Sequence, residues 1–186
     1  MLYASFFRPV GIYKGWFNRA AAWMTGGPYC HSELVFKWSK EELEDVMQSV
    51  KGHLPLRKKF DKDIYVCLYV LWGGMVDYRF LSEDSPSEFF GLSDHMIEMN
   101  VTKEQEHKLI RWLFDQYGTP YDRVGAMLCP LHWRKPKDTY NQYFCSQLMA
   151  CAFNACGFTQ IPNPGAMSPN SLCRYLCIKQ NVPLTI

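Results

Sequence analysis

Cys145 follows Tyr143-Phe144 and precedes Ser146-Gln147-Leu148. Leu148, Cys151, Ala152 and Ala155 then recur at i, i+3, i+4 and i+7, which predicts a helix with Cys145 in its first turn and Gly157 at its C-terminal cap. A helix start carries partial positive charge and amides without helical acceptors, so it favours a thiolate. The same amides can receive the oxyanion of a tetrahedral intermediate. A thiolate nucleophile also needs a base. His107 falls on the polar side of a predicted helix, and His53, His95 and His132 fall in loop-like stretches. His31 differs, because it opens an apolar strand after the turn Gly26-Gly27-Pro28. On that strand His31, Glu33 and Val35 share one face, and Ser32, Leu34 and Phe36 share the other. The bland alternatives are a buried structural thiol and a hydrogen-bonded structural histidine.

Several elements must position these two residues. Strands are expected near 31–36, 46–50, 56–60, 64–71 and 96–101. A short helix is expected over 12–24, with Trp16, Ala20 and Trp23 on one side. A stronger helix spans 102–117: Thr102 and Gln105 form a capping box, Leu109, Ile110, Trp112 and Leu113 form the apolar stripe, and Gly118 ends it. Ser168-Pro169 opens the last helix, whose buried side carries Leu172, Tyr175 and Leu176. Residues 73–94 read as an irregular insertion and 119–141 as a loop. Residues 39–50 are ambiguous. Ser39 to Glu42 resembles a capping box, yet Val46, Gln48 and Val50 alternate as a strand would, and the strand is placed from Val46.

Taken in order, Tyr29-Cys30-His31-Ser32-Glu33-Leu34-Val35-Phe36, then Gly118-Thr119-Pro120-Tyr121-Asp122, then Tyr143-Phe144-Cys145-Ser146-Gln147-Leu148 resemble the permuted NlpC-like cysteine peptidase superfamily. Its relatives include YiiX-like proteins, lecithin:retinol acyltransferase-like enzymes and proteins of large DNA viruses. Its histidine strand comes first and its cysteine helix late, as in this chain. The resemblance covers residues 1 to about 180. It implies an α+β, permuted papain-like fold in one domain, 1–186, with a small antiparallel sheet packed on helices. It also implies acyl transfer at an amide or (thio)ester bond through Cys145 and His31. The family's third polar residue lies on the strand after the histidine strand. Gln48 fits that role, because its amide oxygen can accept an imidazole N–H; Ser49 is the alternative on the other face. Tyr121 and Asp122 match the family's Tyr-Asp segment and are expected to line the cleft or support it, with Tyr121 an additional oxyanion donor. The substrate is expected to be a peptide, amide or lipid acyl group, with peripheral membrane contact where it is a lipid. The alternative is a scaffold or virion-associated binding protein that keeps the fold without turnover.

The bulk properties agree with a globular protein. The 186 residues are 48% hydrophobic and 20% charged, and the net charge of +2 gives no case for nucleic-acid binding. The run Leu56-Arg57-Lys58-Lys59 is followed by Asp61 and Asp63 and reads as a solvated strand end. The N-terminus lacks the pattern of a signal peptide. The eight cysteines sit largely in apolar segments, which points to free core thiols in a reducing, cytoplasmic compartment. Cys129-Pro130-Leu131-His132 offers two ligands, but no Cys-x-x-Cys pair exists, so no metal site is assigned. No phosphate-binding loop occurs, and the chemistry calls for no cofactor.

Overall fold

A computed structural model describes residues 1–49, 64–82, 93–131 and 140–184. The fold is α+β and its sheet is antiparallel. Five strands lie in the order β4-β3-β2-β1-β5: β1 is Leu2–Phe7, β2 His31–Trp38, β3 Ile64–Val70, β4 Val76–Ser82 and β5 Ser93–Met99. The helices are α1 (Trp16–Met24), α2 (Lys40–Ser49), α3 (Lys103–Asp115), α4 (Arg123–Leu128), α5 (Cys145–Ala155) and α6 (Pro169–Gln180).

β1 has no alternating pattern because it is central. It pairs with β2 on one side and β5 on the other, and the sequence reading did not find it. Its register sets Phe7 opposite His31 and Ser5 opposite Glu33. One face of the sheet carries Ala4, Phe6, Leu34, Phe36, Val66 and Leu68 into the main core. There α5 packs on β2 and α3 packs on α5. Every residue of α5 from Cys145 to Phe153 is buried, so this helix is buried all round rather than along one stripe. The opposite face carries a smaller cluster of Phe7, Tyr13, Val35 and Cys67.

The capped helix α3 forms as its sequence dictates, with the Thr102–Gln105 box closed in both directions. Gly118 follows it at φ +80°, a conformation that glycine adopts freely. Four expectations change. The strand over 46–50 is instead the end of α2, which starts from a reciprocal capping box between Ser39 and Glu42. Gln48 and Ser49 therefore lie on a helix, and the strand after β2 is β3. The stretch 73–94 is not irregular throughout, since β4 lies inside it and β5 begins there; Val76, Tyr78 and Phe80 already alternate with Asp77 and Arg79. Within 119–141, Asp122 accepts the Gly125 N–H at 2.6 Å and starts α4. The helix expected over 12–24 is split into a 3-10 turn at Gly11–Tyr13 and α1. The strand expected near 56–60, His53 and His132 lie outside the described residues.

Candidate active site

α5 presents Cys145 at its first position, where the thiol is 7% exposed. β2 presents His31 at its own first position, 6% exposed. After burial, each of the two is the strongest electrostatic influence on the other. Burial alone would raise the Cys145 thiol. The facing imidazole reverses this, aided by backbone hydrogen bonds from Ser32 and Ser146, and the net shift is downward. Burial opposes a charged imidazole, but the Cys145 thiolate and then Glu33 outweigh it and raise His31 to about 9. Both shifts favour a thiolate–imidazolium pair. Burial instead raises Cys67 and Cys151 to about 12, and raises Cys156, Cys173 and Cys177 as well. All eight cysteines are free thiols.

The partner of His31 is Glu33, two residues along the same strand. His31 Nε2 lies 3.0 Å from Glu33 Oε1. Glu33 is fully buried and also receives two other donors. Tyr13 Oη donates to Oε1 at 2.9 Å, and Arg79 Nη2 donates to Oε2 at 2.8 Å. The Tyr13 ring stacks on the imidazole with centroids 4.9 Å apart, and the Phe7 ring centroid lies 5.7 Å from the imidazole. The carboxylate is thus held by an arginine from β4 and a tyrosine preceding α1, and it fixes the imidazole. This is the position that the sequence reading gave to Gln48. In the sequence Glu33 shares a strand face with His31, and that shared face is the signal for its role. Tyr13 and Arg79 left no local signal.

A pocket of about 520 Å³ opens beside Cys145 and His31. Its walls are mainly apolar and include Trp16, Phe17, Met24, Trp72, Tyr121 and Met127. Phe17 and Trp72 meet at 4.3 Å, and Trp72 meets Tyr121 at 5.4 Å. Tyr121 therefore lines the cleft as expected, close enough that a Cys145 thiolate adds to the effect of burial in raising its phenol. Asp122 supports the site from below as the cap of α4, and its N–H reaches Tyr143 O at 2.9 Å. The start of β2 is held by Asn170 of α6, which accepts from Tyr29 N–H at 2.8 Å and donates to Tyr29 O at 2.9 Å.

Comparison with known proteins gave no significant match to a family model, a curated protein or a solved structure. No helix among the described residues is long and apolar enough to cross a membrane.

Proposed function

We propose that this chain is a cysteine-dependent hydrolase or acyltransferase acting on an amide or (thio)ester bond, with Cys145 as nucleophile, His31 as base and Glu33 as the residue that orients and balances the imidazole. The observation that carries this reading is a buried thiol at a helix start and a buried imidazole lining one pocket, with the imidazole Nε2 committed to a carboxylate. That commitment leaves Nδ1 to exchange a proton with the thiol. The Cys145 thiolate attacks the carbonyl carbon. The oxyanion is received by first-turn amides of α5, which have no helical acceptors. Imidazolium then protonates the departing amine, alcohol or thiol, leaving an acyl-thioester on Cys145. Water or another acceptor, deprotonated by His31, resolves it. The ordered motifs and the permuted NlpC-like resemblance agree with this assignment.

The acyl group is apolar on this account. The pocket could hold an alkyl chain, and its rim is apolar where solvent should reach it. Trp16, Met24, Trp72 and Met127 line the pocket and are exposed, and Trp23 of α1 is 82% exposed. α1 buries only Ala22 fully, and its Trp16, Trp23 and Met24 face outward. Exposed apolar side chains clustered at a pocket mouth mark an interaction surface. No Asp or Glu occurs in residues 1–32, and the exposed Lys14 and Arg19 flank Trp16 in the chain. An anionic lipid surface complements this rim better than a soluble peptide does. The protein would then act in a compartment that keeps thiols reduced.

The test is a chain-length series of acyl thioesters and N-acyl amides, with the acyl-enzyme trapped by acid quench and located by mass spectrometry. An adduct on Cys145, absent from Cys145→Ala and formed faster with longer chains, is the expected result. An adduct elsewhere, or none with any substrate, would refute the enzyme; equal rates across chain lengths would refute the lipid reading alone.

A further inference from the structure

A second cluster of reactive side chains lies away from the pocket. His95 on β5 faces Cys173 and Cys177 on α6. Its Nε2 is 3.5 Å from Cys177 Sγ, and all three candidate ligand atoms lie within 4.8 Å of one another. Cys173 and Cys177 stand one helical turn apart, so both sulfurs project from one face of α6. Cys173 and Cys177 are 0% and 2% exposed. A tetrahedral zinc with Zn–S near 2.3 Å and Zn–N near 2.0–2.1 Å requires S···N of about 3.6 Å. The observed separation is thus already that of two zinc ligands. Cys177 borders a surface groove with Asn181 and Val182, and Cys173 borders another with Gly26 and Pro28; Arg174 lines both.

We propose that His95, Cys173 and Cys177 bind one zinc ion, with solvent in the fourth position. The neutral imidazole donates through Nε2, and the two thiols bind as thiolates, releasing two protons to solvent. The ion joins edge strand β5 to α6. That helix also holds the start of β2 through Asn170, which lies on the same face at i, i+3 and i+7 with the two cysteines. The site therefore fixes the support behind the His31 strand and takes no part in acyl transfer. A hydrogen bond between the Cys177 thiol and imidazole, with no metal, is the competing account of the same geometry.

The experiment uses full-length, reduced, chelator-treated protein carrying Cys145→Ala, so that the active-site thiol cannot contribute. Zinc affinity is measured by competition with a chromophoric chelator, and cobalt(II) substitutes as a spectroscopic probe. The expected result is one tight equivalent, a sulfur-to-cobalt charge-transfer band with tetrahedral d–d bands, and a zinc-dependent rise in Tm. Adding His95→Ala at its edge-strand position should weaken zinc at least tenfold and abolish the Tm rise, and Cys173→Ser and Cys177→Ser should each lose the charge-transfer intensity of one thiolate. Absence of a stoichiometric equivalent, or affinity unchanged by His95→Ala, would overturn the site. None of these readouts uses turnover, so they are independent of the function proposed above.

Discussion

Replacing Glu33 by Gln tests the buried network most sharply. The side chain is fully buried, and its three partners, His31, Tyr13 and Arg79, all act as donors toward it. A carboxylate offers about four lone-pair positions to those donors. A Gln amide offers one accepting oxygen and turns an NH₂ group toward the remaining donors. At least one buried donor must go unpaired, and the Arg79 cation loses its counter-charge. Breaking a buried ion pair from one side costs roughly 3–5 kcal/mol, so Tm should fall by many degrees. The imidazolium also loses the charge that balances it, and proton transfer through His31 should slow by on the order of 10²–10⁴-fold. The assay is kcat/KM on an acyl thioester, paired with thermal melts. Tyr13→Phe in the Glu33→Gln background removes one of the competing donors, so the double variant should regain part of the lost stability. Glu33→Gln with wild-type Tm and a rate within threefold of wild type would refute the network as described.

Other consequences follow from the same geometry. Acyl transfer should decline above about pH 9, because His31 loses its proton there, and on the acid side as the lowered Cys145 thiol regains its own; a kcat/KM profile in which the alkaline limb fails to move on altering Glu33 would contradict this. Trp16→Ala and Trp23→Ala should each weaken binding to anionic vesicles about tenfold or more while leaving Tm unchanged, since an exposed indole contributes area only on docking; sedimentation with vesicles measures it. Asn170→Ala removes two hydrogen bonds to the buried backbone of Tyr29 and should cost roughly 2–4 kcal/mol in urea unfolding. Gly27→Ala should produce a related loss, because its new Cβ would lie 2.5 Å from Asn170 Oδ1, a side chain pinned by its own hydrogen bonds.

The pieces of this site that were legible in sequence are those encoded locally. The spacing Leu148, Cys151, Ala152, Ala155 placed Cys145 at a helix start, and the apolar run after Gly-Gly-Pro placed His31 at a strand start. Alternation on β2 also put Glu33 beside His31. Its role was assigned instead to Gln48, because the resemblance pointed to the next strand and the segment 46–50 satisfies both periods. The Ser39 capping box decides that segment as helix. Arg79 and Tyr13 reach Glu33 only through tertiary folding, across 46 and 20 residues, and no local pattern predicts such meetings. The same holds for His95 and Cys177, which are 82 residues apart. Central strand β1 was invisible because burial on both faces erases alternation.

The most direct test of the central claim is the pH dependence of iodoacetamide labelling, resolved cysteine by cysteine, in native protein and in His31→Ala. The thiol of Cys145 should label rapidly below the ordinary thiol range of about 8.5, ahead of the seven others, and should lose that advantage when His31 is removed. Labelling of Cys145 no faster than its buried neighbours, or unchanged by His31→Ala, would contradict a nucleophile activated by this histidine and leave a binding or structural protein.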